Sequence, residues 1–283
     1  MDPEMLKVRA GIVRTIRSFF DGRGFTEVET PVRIPAPAPE EHIDCPVVLG
    51  GGFLRASPEL QMKKLLAAGM DRIYQIGPCF REGERGSRHN PEFTMIEWYR
   101  RNATYRDIAA DLKDLLAAVA PCAKRTFEPA NVRTMSVRDA YLRYAGWDPW
   151  TEWDQDRFDF DMATKIEPAI KATGGGTFLT DYPRQAASLA VVRGGSAERW
   201  EFYWDGMELA NCFTELCDGA EQRLRFERAK AARKELGESD YPLDEEFLAS
   251  VDRMGSAAGV ALGVDRLVMV LTGAKEISAV RVG

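Results

Sequence analysis

Histidine is scarce in this chain, and its cysteines form no pairing pattern. The 283 residues hold two histidines, His42 and His89, and five cysteines, Cys45, Cys79, Cys122, Cys212 and Cys217. No two cysteines make a Cys-x-x-Cys pair, so the usual zinc ligand sets are excluded. An odd cysteine count without a leader-like start is the pattern of a protein kept in a reducing cytoplasm, which is the expected location. Long apolar runs are missing as well. The longest, residues 257–264, contains two glycines and falls far short of the ~20 residues of a membrane span, so no membrane is expected as a partner. The glycine fingerprints of dinucleotide folds and of the P-loop are absent. Basic charge is not in excess. A net charge of −6 provides no global field that would draw the chain onto nucleic acid, although local basic patches survive in acidic proteins.

What is present reads as mixed α and β. A helix is expected over residues 6–21, where Val8, Ile12, Ile16, Phe19 and Phe20 share one face. Residues 25–31 alternate like a strand that Pro31 closes. Ser57 reads as an N-cap, with Pro58 at the first helical position of a helix that Gly69 ends. Strands are expected over 71–80 and 93–99, joined by a charged loop. An amphipathic helix follows, with Ile108, Leu112, Leu115, Leu116 and Val119 facing inward. Residues 121–175, rich in Asp, Trp and Pro, read as an insertion of helices and loops. Further strands are expected near Phe178 and over 199–204, then a charged helix over 219–236. Last comes a glycine-bearing strand over 259–264 that runs into a helix capped by Asp265. Strand and helix do not alternate regularly. This excludes a doubly wound sheet and implies an α+β fold, a largely antiparallel sheet with helices packed against it.

Three segments carry chemistry. In residues 80–99 an arginine-rich loop joins two apolar strands, and guanidinium groups suit phosphate because they offer a planar, permanently charged fork of donors. A solvated hairpin loop is the ordinary alternative, but Glu97 follows apolar residues on a strand, where an unpaired carboxylate is costly to bury. In residues 199–216, Glu201, Glu208 and Glu215 stand among aromatic and apolar neighbours. A turn at Asp205 and Gly206 brings Glu201 towards Glu208, and clustered carboxylates repel unless a cation holds them; Mg²⁺ bridging nucleotide phosphates is the usual occupant. An edge strand with glutamates facing solvent would give the same pattern. In residues 259–269, Gly259, Ala261 and Gly263 would let a flat ligand approach the backbone. Arg266 sits in the first turn of a helix, where the dipole disfavours it unless an anion is near.

Together these segments resemble the three signature motifs of class II aminoacyl-tRNA synthetases: 24–31 the first, at the dimer interface, 81–100 the second and 259–266 the third. The sub-pattern is similar to the lysine type, in R-H-N-P-E-F-T-M at 88–95 and E-L-A-N-x-F-x-E-L at 208–216. S-P-E at 57–59, E-W-Y-R at 97–100 and Ala261 in place of the usual glycine resemble the free-standing relatives of lysyl-tRNA synthetase that modify elongation factor P with (R)-β-lysine. The resemblance covers most of the chain and is weakest over 121–175. It implies one catalytic domain spanning 1–283 and no anticodon-binding domain.

By this resemblance ATP and Mg²⁺ are the cofactors. Arg81 and Arg266 would be catalytic, at the α-phosphate and the γ-phosphate end. Asn90, Phe93, Leu209 and Gly263 would lie against the nucleotide, with Glu82, Gly83 and Glu84 beside it. The usual R-N-E reads Arg81-Glu82-Gly83-Glu84 here, so either glutamate can be the one that reads adenine. Glu201 and Glu208 would hold the metal. Ser57, Pro58, Glu59, Glu97, Asn211 and Ala261 would form the amino-acid pocket, with Glu215 and Tyr99 at the distal ammonium group. Implied partners are elongation factor P as protein substrate, an amino acid and a second copy of the chain, with tRNA disfavoured. A minimal tRNA-charging enzyme and a non-catalytic amino-acid sensor are the competing readings. Retention of Arg81, Arg266, Glu201, Glu208 and Glu215 argues against the sensor.

Overall fold

The structure is a computed structural model that describes residues 2–282. In chain order its elements are α1 (Pro3–Asp21), β1 (Thr26–Glu27), β2 (Arg33–Ile34), β3 (Phe53–Leu54), α2 (Glu59–Ala67), β4 (Arg72–Phe80), β5 (Glu92–Arg101) and α3 (Tyr105–Val119). Then come β6 (Arg133–Ser136), α4 (Val137–Ala140), α5 (Gln155–Asp161), α6 (Glu167–Thr173), β7 (Gly176–Pro183), β8 (Val192–Arg193), β9 (Ser196–Trp204) and β10 (Met207–Thr214). The chain closes with α7 (Gly219–Leu236), α8 (Glu245–Ser250), β11 (Ala257–Gly263) and α9 (Val264–Thr272).

The main sheet runs in the order β1-β4-β5-β11-β10-β9-β7-β6, with β8 added on β9. Its central strands are all antiparallel, and only the outer pairs β1–β4 and β6–β7 are parallel. The sheet has two different faces because strand side chains alternate. On β5, Ile96 and Trp98 point to one face, and on β9 Trp200, Phe202 and Trp204 point the same way. Val260 and Leu262 of β11 join them. This apolar face is covered by α1, α3 and α9, whose buried stripes (Ile12, Ile16 and Phe20; Ile108, Leu112 and Leu115; Leu267, Val268 and Leu271) complete the core. Phe20 stacks on Tyr74 with centroids 4.9 Å apart. The residues between them in sequence, Glu97, Tyr99, Asn211 and Ala261, therefore face the other way.

Local signals set the helix starts. The Asp2 carboxylate accepts from the Glu4 N–H at 2.9 Å, with Pro3 at the first helical position. Thr104 and Asp107 form a capping box on α3. Several expectations shift. The strand expected over 25–31 shortens to β1, because the Thr30 N–H and hydroxyl turn instead to the buried Gln75 side chain, at 3.1 and 2.9 Å. The helix α2 begins at Glu59, one residue later than expected, with Pro58 in the capping position. Asp265 does not cap α9; Gly263 holds that position and Asp265 lies buried in the first turn. There it accepts from the Thr94 N–H at 2.7 Å and pairs with Arg9 at 2.5 Å, tying α9 to β5 and α1. Within 121–175 the segment β6 is a strand, paired in parallel with β7 at the sheet edge.

One long-range tie shapes the open face. Arg233 of α7 is buried and donates to the Glu40 and Ile43 carbonyls, at 2.7 and 3.1 Å, and to Asp44 at 2.5 Å. It fixes the segment 40–44 above the sheet.

Candidate active site

A cavity of about 300 Å³ opens on the polar face of the sheet. Its floor is β5, β10 and β11, and its walls are the start of α2, the loop 81–91, the segment 40–44 and the first turn of α9.

At one end three carboxylates converge. Glu97 is buried on β5 and accepts from the Ser57 hydroxyl at 2.6 Å and the Tyr99 hydroxyl at 2.8 Å. The Ser57 oxygen also accepts from the Glu59 N–H at 2.9 Å, so one hydroxyl both starts α2 and orients Glu97. Glu215, just past β10, and Glu59 share the ammonium group of Lys63, each at 2.5 Å. Glu215 Oε1 is buried with no hydrogen-bond partner among the described residues. Burial raises the Glu97 pKa to about 7, with the charge of Glu59 adding to it. Burial likewise raises Glu215 to about 8, against the opposing pull of Lys63. Such unmet carboxylate capacity calls for a cationic ligand.

At the other end the groups are those of an anion site. Arg81 leaves β4 with its guanidinium carbon 5.3 Å from the Phe93 ring centroid and a loose contact of 3.4 Å to Glu84. Its Nε is buried without a partner among the described residues and has a donor to offer a phosphate oxygen. Arg266 bridges the Glu208 carboxylate at 3.2 Å and the His89 ring at 2.6 Å. Asn90 donates to the Glu92 carbonyl at 2.6 Å, bracing the loop where it returns to β5. At Gly263 an added Cβ would meet only the Arg266 side chain, so the space above this glycine is open to a ligand.

The carboxylates expected to hold a metal lie on the hairpin β9–β10, which turns at Asp205 and Gly206, both at positive φ. The register shifts at Leu209: Glu208 pairs with Tyr203 and Ala210 with Phe202. This bulge lets Glu208 and Asn211, three residues apart, share the polar face. Glu208 lines the cavity and its pKa is raised by burial and then by nearby Glu201. Glu201 is set back from the wall, held by Arg199 at 2.6 Å and the Tyr203 hydroxyl at 2.7 Å. No group of three or more metal-ligating side chains stands together among the described residues. Of these two carboxylates Glu208 is the one that could reach a divalent cation in the cavity, with Glu201 behind it.

Of the residues singled out in sequence, Ser57, Glu59, Arg81, Glu84, Asn90, Phe93, Glu97, Tyr99, Glu208, Leu209, Asn211, Glu215, Ala261, Gly263 and Arg266 line this one cavity. Pro58, Glu82, Gly83 and Glu201 do not. Glu82 and Gly83 are exposed, and the Glu82 N–H is spent on the Asp44 carbonyl at 2.7 Å, so Glu84 is the glutamate of this loop that faces the cavity. Gly259 also lines the cavity, and it makes room there for the ring of Tyr99, which a Cβ would overlap. Sequence reading missed Lys63 and Arg199, which stand behind the wall against Glu59, Glu215 and Glu201, and His89, Thr94 and Glu40, which line it. The first carried a signal, standing four residues after Glu59 on a helix. Arg199 stood two residues from Glu201 on a strand, hence on its face.

The family model described as tRNA synthetases class II (D, K and N) matches residues 3–282. Among curated proteins, the elongation factor P–(R)-β-lysine ligase of Proteus mirabilis is 39% identical over 96% of this chain and 92% of its own length. The proteins of the same name from Mannheimia succiniciproducens and Klebsiella pneumoniae are each 37% identical, over 97% and 98% of this chain and 93% and 94% of theirs. A match over nearly the whole chain, on a largely antiparallel sheet whose polar face gathers the motif residues, shows that this protein belongs to the class II tRNA synthetase family of the D, K and N type.

Proposed function

We propose that this protein activates (R)-β-lysine, or less well lysine, with ATP and transfers the acyl group to a lysine side chain of elongation factor P. The acceptor is the one for which its relatives, elongation factor P–(R)-β-lysine ligases, are named. The observation that carries the amino-acid half is the convergence of Glu59, Glu97 and Glu215 on one end of the cavity, with Glu215 Oε1 left unpartnered.

The substrate carboxylate attacks the α-phosphorus, the bond to pyrophosphate breaks, and an acyl-adenylate remains. The acceptor amine then attacks the acyl carbon, AMP leaves, and the amine gives up a proton. No protein nucleophile is needed. Arg81 neutralises charge at the α-phosphate, and Arg266 exchanges Glu208 and His89 for the terminal phosphates. Phe93 packs on the base, Glu84 reads its amino group, and the open backbone at Gly263 accommodates the ribose. Glu208, with Glu201 behind it, would hold Mg²⁺, which would supply Lewis-acid polarisation of the phosphates. Glu59 and Glu97 take the amine nearer the carboxylate, and Glu215 with Tyr99 the distal one. Ala261, paired with Glu97 across the sheet, narrows the pocket beside the reacting carboxylate. A homodimer through α1 and residues 24–31 belongs to the same reading.

Mass spectrometry of elongation factor P after incubation with the protein, ATP and each amino acid is the test. The expected result is a single acyl adduct on a lysine, with tRNA left unmodified. Charging of tRNA alone would overturn the acceptor. Glu208→Ala is expected to abolish amino-acid-dependent ATP–pyrophosphate exchange.

A further inference from the structure

Lys63 has no role in the reaction described above, yet it is a fully buried lysine directly behind the cavity wall, against two carboxylates that line it. It projects from α2 with its side chain 1% exposed. Its Nζ lies 2.5 Å from Glu59 Oε1 and 2.5 Å from Glu215 Oε2. Neither oxygen of Glu215 makes a hydrogen bond among the described residues; Oε2 has its ion contact with Lys63 and Oε1 has none. Glu59 comes from the first turn of α2 and Glu215 from beyond β10, so Lys63 joins two elements far apart in sequence.

We propose that Lys63 is a specificity-determining positioning residue: its ammonium group holds one oxygen of Glu59 and one of Glu215, and thereby aims the other oxygens at the two ammonium groups of a diamino-acid substrate. This rests on the pocket reading above. Without a cation between them, a buried carboxylate and a half-buried one this close repel, and one of them takes up a proton. A protonated carboxyl is a poor partner for an ammonium group, so the pocket would lose discrimination for substrates that carry two. Lys63 does not cancel the pocket's charge. Glu97, Tyr99, Glu40 and Cys217 also face this region, and the carboxylates outnumber the one lysine. Once its carboxylates are ionised the pocket is therefore anionic, while its geometry is fixed by a cation of its own.

The direction of the proton equilibria supports the geometry. Lys63 pulls the Glu215 and Glu97 pKa values down against burial. Removing it lets both rise further, so the missing charge returns only at higher pH.

The experiment is ATP–pyrophosphate exchange by Lys63→Met and Lys63→Gln, both neutral, and by Lys63→Arg, which keeps the charge. Thermal melting checks that each is folded, and the glutamine variant decides if the methionine variant is not. The neutral variants are expected to raise KM for the amino acid about tenfold or more at pH 7 and to leave KM for ATP within about twofold. The amino-acid penalty is expected to shrink between about pH 7 and pH 9, and Lys63→Arg to recover part of the affinity. An unchanged amino-acid KM overturns the proposal. So does a loss that is equal at every pH and falls on kcat alone, which is what a packing role predicts. If the unaltered protein supports no exchange with either amino acid, it is the pocket reading that fails.

Discussion

At Gly259 only a hydrogen atom fits towards the polar face, because the Tyr99 ring lies against the backbone there. Gly259→Ala is expected to push that ring away, break the Tyr99–Glu97 hydrogen bond, and cost about 1–3 kcal/mol by overpacking. Chemical denaturation reads the stability, and amino-acid KM should rise with it. Ala261, two residues on, faces the cavity and tolerates loss of its methyl group. Ala261→Gly is expected to improve exchange with α-lysine relative to (R)-β-lysine by enlarging the pocket; an unchanged ratio would remove Ala261 as the discriminator. The placement of Glu97 and Glu215 at the cavity was legible in sequence, since a carboxylate among apolar residues needs a partner. The commitment of Glu201 to Arg199 was less so. Their contact is set by which rotamers the crowded face allows, and alternation says only that they share that face.

Among the elements, the start of α2 does two jobs through one hydroxyl. Ser57→Ala removes the acceptor for the Glu59 N–H and the donor to Glu97 together. The expected cost is about 0.5–2 kcal/mol in stability, with a weaker amino-acid affinity, measured by thermal melting and by exchange kinetics. The long helices α1 and α3 were legible from their apolar period, and α7 as a charged run. The segment 137–173 was not, and the reason is physical. Residues Tyr141–Ala145 and Met162–Ile166 form π-helical turns, which shift the phase of an apolar stripe and erase the 3.6-residue period. The bulge at Leu209 was equally silent: nothing in the string 207–211 marks an extra residue, yet it puts Glu208 on the same face as Asn211.

For the whole molecule, the raised carboxyl groups link protonation, stability and binding. Glu97 and Glu215 move from an ordinary 4.5 to about 7 and about 8. The empty folded protein therefore holds protons that the unfolded chain releases, so its stability is greatest below about pH 4.5 as far as these two groups are concerned. It falls as pH rises to about 8 and levels off above. A dicationic amino acid needs both groups ionised, so its affinity runs the opposite way. The rise in melting temperature on adding lysine or β-lysine is expected to be larger at pH 8.5 than at pH 6. An equal shift at both would mean that neither carboxyl meets the ligand.

The tie from Arg233 to residues 40–44 bears on how a substrate enters. That segment forms a wall of the cavity, and the hydrogen bonds that hold it are complete without a ligand. Its ordering entropy is thus charged to folding and not to binding. On this side the amino acid meets a preformed mould, and its arrival should leave amide exchange at 40–44 as slow as it was before.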